Sequence, residues 1–190
     1  MARIPFRLLV KQRLGDRLKT ITPANGYTND LSDFDQDGVT IERVYRGRTE
    51  FGDNDPLPFV SINEDPRVLE QVTGSAGSTS RAGEWELILQ GFVPDDELNP
   101  TDPAQYLAAE VAEVVAAEMK RGENYFDLGD RKPCVTGIKM GAPFCGPADG
   151  EISDVAFFLI KVTLTLSEDL AEPFISTQVS SKPGILPRKE

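Results

Sequence analysis

The chain has 190 residues, with 20 lysines and arginines against 31 aspartates and glutamates, a net charge of −11, and no histidine. An acidic chain repels the phosphate backbone, so we do not expect it to read DNA sequence, and without imidazole it can form neither a histidine triad nor a His-containing zinc site. Its longest apolar run, Val155 to Ile160, is far shorter than the ~20 residues of a membrane span, and its length suits one domain with one core.

The first predicted element is an amphipathic helix. Its apolar residues recur at steps of four and three, which places them on one stripe, and Pro5 can start the helix while Pro23 must stop it. Residues 1–19 carry six cations and one anion, a net charge of +5. A basic helix on an acidic body can join one copy to the next, and the alternative is an ordinary solvated face. The stripe consists of Phe6, Val10, Leu14, Leu18 and Ile21.

A short acidic motif follows the helix. Asp33, Asp35 and Asp37 with Gly38 supply the first, third and fifth ligands and the glycine turn of a calcium loop. The twelfth position is a valine, which cannot supply the bidentate carboxylate, and residues 39–45 resemble a strand instead of an exit helix. We therefore expect an Asp/Gly-rich loop before a strand, and calcium binding by the three aspartates stays open.

Several segments have the composition and alternation of β-strands. In residues 84–93 one face holds Trp85, Leu87, Leu89 and Val93, which predicts a half-buried strand. The segment from Val155 is apolar on both faces at its start and on one face at its end. We therefore expect its start to be buried on both sides and its end on one side. The predicted strands are 39–45, 59–63, 84–93, 135–140 and 155–166.

The segment from Arg43 to Glu64 combines a basic strand end with an acidic, proline-bracketed turn. Arg46 and Arg48 flank a glycine, and Phe51 lies in a turn sequence that exposes it. Exposed arginines and aromatic residues are enriched in protein interfaces. We therefore predict that Arg46, Arg48 and Phe51 lie at a contact between subunits or between rings of subunits.

Two further features complete the predicted domain. The Gly/Ser-rich loop 74–81 has few side chains that could order it, so we expect it to be mobile in an isolated subunit and ordered against a neighbour. A second amphipathic helix has Asp102 as its predicted N-cap, with Gln105 completing a capping box. Its predicted buried stripe is Leu107, Val111, Val115 and Met119.

The predicted fold class is α+β, with a mixed β-sheet and two amphipathic helices packed on one of its faces. Residues 1–170 form the domain, and 171–190 form an extended C-terminal tail, because its three prolines forbid a helix and its apolar residues are sparse. No catalytic set, metal site or cofactor site is identifiable. The residues thus favour assembly over catalysis, and we expect no enzyme activity and no cofactor.

The chain contains, in this order, the segments YRGRTEFGDNDPLPFVSI, LQGFV and VTLTLSEDL. With the order of elements, they resemble the tail terminator proteins of long-tailed bacteriophages such as lambda, over roughly residues 1 to 172. The resemblance implies a structural virion protein that caps the tail tube as a homohexameric ring, stops tube polymerisation and offers the surface that joins the head. Its implied partners are other copies, the tail tube protein and the head–tail connector, at the tail–neck junction of a virion assembled in the host cytoplasm.

Other functions stay open at this stage. Another neck or tail-completion protein of similar fold is the main alternative, because such proteins share fold and symmetry. An enzyme with an unrecognised acidic site and a calcium-binding module are the remote ones.

The net charge also makes a prediction about a ring. A ring that the genome passes through must not hold DNA, and carboxylates release no counterions from DNA. We therefore predict that some of the acids in turns line the central channel, while the basic helix faces away from it and DNA passes without specific binding. The candidates are Asp53, Asp55, Asp95, Asp96 and Glu97.

Overall fold

The computed structural model describes residues 3–50, 52, 55–65, 77–128, 133–147 and 154–176. Within these ranges the chain has an α+β fold with two α-helices, α1 (Phe6–Leu18) and α2 (Asp102–Met119). The strands are β1 (Arg3–Pro5), β2 (Phe34–Gln36), β3 (Val39–Ile41), β4 (Val44–Arg46), β5 (Phe59–Glu64), β6 (Ser80–Pro94), β7 (Cys134–Met140), β8 (Phe144–Pro147), β9 (Val155–Asp169) and β10 (Phe174–Ser176). The predicted fold class is confirmed.

The main sheet of the described region has the strand order β4-β5-β6-β9-β7, and β8 pairs with β9. Only the β4–β5 pair is parallel, so the sheet is mixed. Strands β6 and β9 are antiparallel along their whole length, with Ser80 opposite Asp169 and Pro94 opposite Val155. We call the two ends of the sheet the Asp169 end and the Pro94 end.

Both helices cover the same face of this sheet. Leu14 of α1 and Val111 of α2 belong to one buried cluster with Ile62, Leu89 and Val162 of the strands. The apolar stripe predicted for α1 is confirmed, because all five of its residues are buried. Alternation in the strands and the helical period thus bring two apolar surfaces together.

The start of α2 differs from the prediction. Thr101, and not Asp102, precedes the helix, and its side chain makes no capping hydrogen bond. Thr101 has a helical backbone conformation with φ −89° and ψ −15°, whereas a capping box needs an extended N-cap residue. The backbone amide of Gln105 instead donates to the Thr101 carbonyl. Leu107, Val111 and Val115 are buried as predicted, and Met119 packs partly buried against the core.

The other face of the sheet carries no helix of the described chain. Near the Pro94 end, Phe59, Phe92 and Val155 form a second, small buried cluster, which confirms burial of this end of β9 on both sides. Farther along β9 the same face becomes polar, and Lys161 is exposed there. We call this the open face.

The strand predicted for residues 39–45 is wrong in its extent. Strand β3 pairs with β2 in a separate hairpin, and β4 joins the main sheet. Asp37 and Gly38 form the hairpin turn with φ +56° and +80°, as a two-residue type I′ turn requires. The acidic motif is therefore a hairpin, and not the loop that we expected before a strand.

The predicted loop 74–81 is partly wrong, and the predicted tail is described only as far as residue 176. Ser80 and Arg81 are not loop residues, since they pair with Asp169 and Glu168 in the long ladder. The 74–76 part of that loop lies outside the described residues. In the predicted tail, Phe174–Ser176 is extended and pairs with β1, while residues 177–190 lie outside the described residues.

Candidate subunit interface

The cations of α1, and Lys19 directly after it, are bound to acids of the same chain. Their partners come from four regions of the sequence, and one of them, Glu118, lies on α2. The ion pairs are Arg7–Glu168 at 2.9 Å, Lys11–Glu64 at 2.6 Å, Arg17–Glu118 at 3.2 Å and Lys19–Asp33 at 2.7 Å. The basic helix thus holds its own acidic body together, and little of its charge is free for a neighbour. Its orientation relative to a channel stays a prediction.

Arg48 has an internal role that the sequence did not indicate. Its Nη2 donates to both carboxylate oxygens of Asp55, at 2.6 Å each, and its Nε donates to the Glu50 carbonyl. The guanidinium also lies 4.6 Å from the ring centre of Tyr45. Arg48 therefore clamps the turn that precedes β5.

Arg46 fits the predicted interface role better than Arg48. Its side chain is exposed beside Gly15 of α1, and within the described residues it forms no ion pair. Phe51 and Asp53 lie outside the described residues, so their roles stay predictions.

Arg43 is a positioning residue that sequence reasoning missed. Its Nη1 donates to the carbonyls of Asp30, Leu57 and Pro58, at 3.3, 3.0 and 3.4 Å. Its guanidinium lies 4.8 Å from the ring centre of Phe34 in the hairpin. Nη1 has two N–H groups, so the three carbonyls share its donors. Arg43 thus joins the hairpin to the turn before β5.

Asp55 is shielded, with a side chain 16% exposed. Burial alone would raise the pKa of Asp55, but hydrogen bonds from the Gly52 amide and the Arg48 guanidinium outweigh it and hold the pKa below its ordinary value of 3.8. Its charge is therefore neutralised inside the subunit. The prediction that it lines a channel is less favoured than for the other acids.

Replacing Asp55 by Asn tests this clamp. The folded-state pKa lies below the unfolded one, so the charged carboxylate stabilises the fold above the unfolded pKa, and this contribution disappears as pH falls through the folded pKa. We expect wild type to melt above Asp55→Asn by a constant margin from pH 7 to about pH 5, and the margin to shrink below about pH 4.

Asp16→Asn is the matched control, because it removes the same charge from an exposed site whose nearest cation, Arg13, is 3.7 Å away. Thermal melting of the three proteins across this pH range measures the effect. A margin for Asp55→Asn that does not change with pH would contradict the clamp.

Three of the predicted channel acids lie together at the Pro94 end. Asp95, Asp96 and Glu97 follow β6, and the pairing of Phe59 with Phe92 brings the Asp55 turn to the same end. Asp96 accepts hydrogen bonds from the Leu98 and Asn99 amides and so shapes the loop. The tertiary structure thus gathers two acidic segments that are 40 residues apart in the chain.

A groove of about 360 Å³ lies beside these acids. It runs between the loop after β6 and the first turn of α2, and Asp96, Asp102 and Tyr106 form part of its wall. Tyr106 is 64% exposed, and the neighbouring Leu98 is 88% exposed. Large apolar side chains with such exposure are candidate contact residues. Sequence reasoning missed both, because neither lies on a predicted apolar stripe.

The open face offers a second candidate contact. Phe144 on the edge strand β8 is 61% exposed, and its ring centre lies 6.0 Å from that of the half-buried Phe157. Farther along, Lys161 pairs with Glu86 at 2.5 Å, so this part of the face is neutralised. The open face is thus apolar towards the Pro94 end and charge-balanced towards the other.

No chemically reactive cluster stands out in the described part of the chain. Among those residues no group of three or more His, Cys, Asp or Glu could hold a metal ion, and no helix is long and apolar enough to span a membrane. Asp33 pairs with Lys19, and Asp35 accepts the Gly38 amide, so these two motif carboxylates have different partners. Neither cysteine forms a disulfide within the described residues, and burial raises the pKa of Cys145.

Comparisons with known proteins find little. No protein-family model matches the chain, and no curated protein matches it. Among solved structures, the chain is similar to one described as "Virion of native gene transfer agent (GTA) particle", with 16% sequence identity and a TM-score of 0.41. That match covers 66% of this chain and 78% of the other.

Proposed function

We propose that this chain is a structural virion protein, a phage tail terminator that caps the tail tube as a homohexameric ring. The observation that carries the proposal is the resemblance of three sequence segments, and of their order along the chain, to tail terminators. The α+β fold that this resemblance implies is the fold of the chain. Within the first of these segments, Arg48 binds Asp55 and the Leu57 carbonyl accepts from Arg43, so these described residues are held in place as a contact surface needs.

In this role the protein acts by assembly and not by catalysis. The ring stops tube polymerisation, and its other side offers the surface for head joining. Its partners are other copies, the tail tube protein and the head–tail connector at the tail–neck junction. The exposed Leu98, Tyr106 and Phe144 support a protein that buries further surface when it assembles.

Native mass spectrometry and class-averaged electron micrographs of the purified protein test the ring. We expect a mass of six chains and six-fold projections with a central opening. A monomer at micromolar concentration, or a ring of other symmetry, would overturn the hexamer. Addition of tube protein or of connector then separates a terminator from another neck or tail-completion protein, because a terminator binds both.

The second test concerns the interface anchors. We expect Arg46→Ala and Phe51→Ala each to weaken ring association by about 2 kcal/mol or more, with unchanged melting of the monomer. Arg48→Ala differs, because it also releases Asp55 and should lower the melting temperature of the monomer. Analytical ultracentrifugation with thermal melting separates the two effects, and Arg13→Ala, an exposed cation elsewhere, is the control. Rings as stable as wild type in both anchor variants would refute the anchor assignment.

The acids at the Pro94 end suit a channel wall. Asp95, Asp96 and Glu97 form no ion pair with any described lysine or arginine, so their charge is available to an opening through which DNA passes. We expect no duplex binding by the ring at moderate salt. Measurable binding, or a lumen dominated by basic side chains in a ring structure, would overturn this placement.

A further inference from the structure

The groove beside Tyr106 combines apolar contact surface with uncompensated negative charge. Tyr106 and Pro103 of α2 give its lining apolar surface, and Asp96 and Asp102 give it two carboxylates. The rest of the lining is polar and uncharged, from Thr28, Asn29 and Asn99. Within the described residues no lysine or arginine forms an ion pair with either aspartate. A ligand that fits must be apolar and cationic together.

Residues 182–189 of the same chain have this chemistry. Their sequence is KPGILPRK, with three cations, no anion, two aliphatic side chains and two prolines. A proline-bracketed segment loses little conformational entropy when it binds in extended form, and aromatic-lined grooves bind such segments. The groove therefore has one complementary occupant within the protein's own sequence.

The segment starts at the far end of the sheet from the groove of its own subunit. Ser176 follows β9 by a short turn and lies at the Asp169 end, whereas the groove lies beyond Pro94 at the other end. A straight strand with the 15 residues of β9 is about 46 Å long. From Ser176 to Ile185 the chain reaches at most about 32 Å even when fully extended. These lengths favour binding in trans.

We propose that residues 182–189 of one subunit dock in the Tyr106 groove of a neighbouring copy. Ile185 and Leu186 contact Tyr106 and Leu98, and the cations lie against Asp96 and Asp102. With Asp96 engaged in this way, Asp95 and Glu97 remain as the channel acids at this end. This contact deepens the proposed ring, on which it depends for its neighbour, because it names a link between adjacent subunits.

The test uses a fluorescent peptide of residues 177–190 and a full-length receptor in which Lys182, Arg188 and Lys189 are replaced by serine, so that its own tails do not compete. We expect saturable binding by fluorescence anisotropy that weakens as salt rises. Tyr106→Ala should lower the affinity of the receptor for the peptide by about tenfold or more, and so should the double substitution of Asp96→Asn with Asp102→Asn. These side chains are exposed, so the receptor variants should melt like their parent.

Matched controls locate the contact. Glu113→Gln removes an exposed acid from the same helix, and Phe144→Ala removes an exposed aromatic from the open face, so neither should change the affinity. No peptide binding, or binding that Tyr106→Ala leaves unchanged, would overturn the docking site.

The outcomes also separate this inference from the ring. Peptide binding needs only a folded receptor, so binding by a protein that never forms rings would refute the ring and keep the groove assignment. If the tail-substituted protein forms rings of wild-type stability and binds no peptide, the groove assignment is refuted and the proposed ring is kept.

Discussion

Gly91→Ala is expected to destabilise the fold by about 3 kcal/mol, at the upper end of the range for overpacked cores. Gly91 lies in β6 directly opposite Phe158 of β9, on the core face. A Cβ atom at this position would lie 2.0 Å from Cε1 and 2.6 Å from Cζ of the Phe158 ring. That ring is completely buried, so it cannot move aside without disturbing the packing of both helices on the sheet.

Urea denaturation followed by circular dichroism measures this effect. Gly141→Ala is the control, because the nearest atoms to its Cβ lie at 3.7 and 3.8 Å, an ordinary contact. Combining Gly91→Ala with Phe158→Leu should recover part of the loss, since the smaller side chain makes room. A Gly91→Ala protein within about 0.5 kcal/mol of wild type would show that the sheet adjusts where we expect it to be rigid.

Glu118→Ala should lower the free energy of unfolding by about 2–3 kcal/mol, because it leaves a buried amide without its acceptor. The Glu118 side chain is 5% exposed, and it accepts hydrogen bonds from the Phe126 amide and from Nε of Arg17. It thus fastens α1 and the turn after α2 to one point. That turn contains Asn124, Phe126 and Asp127 in left-handed conformations, with φ of 46°, 58° and 55°. Such residues are costly unless the surroundings hold them.

Glu118→Gln separates the hydrogen bond from the charge, since the amide oxygen can still accept from Phe126. We expect it to lose clearly less stability than Glu118→Ala, and Glu113→Ala, an exposed acid on the same helix, to lose almost none. Hydrogen exchange at the Phe126 amide gives a local measure, and it should quicken in Glu118→Ala. Equal losses in the alanine and glutamine variants would contradict the assigned role of the acceptor.

Much of the fold was predictable because its signals are local. The helix period placed the buried stripe of α1, two-residue alternation placed β6 and β9, and β-branched and aromatic composition placed β5. The errors lie where local rules compete with distant partners. Residues 39–45 have one strand-like composition, yet Arg43 holds distant carbonyls and the chain changes sheets there. The predicted capping box does not form, because the backbone amide of Asp102, which the Gln105 side chain would have accepted, already donates to the Asn99 carbonyl.

The candidate interface was predictable only in part. Arg46 is exposed as an interface residue should be, but Arg48 of the same motif is committed to Asp55. No sequence pattern marks Leu98 and Tyr106 as exposed, because the exposure of an apolar side chain depends on which other parts of the folded chain pack over it. Only the folded chain shows that.

By itself the sequence determined both helices, the long strands of the main sheet, the α+β class and an acidic chain without histidine, since these follow from composition and from periods of two and 3.6 residues. The tertiary structure alone decided which charges meet. Arg7 pairs with Glu168, 161 positions away, so the basic helix that the sequence offered as a free surface is bound to its own body. Ion pairs between distant residues follow distance in space and have no period along the chain, so no sequence pattern could have shown that Arg7 and Lys11 are paired.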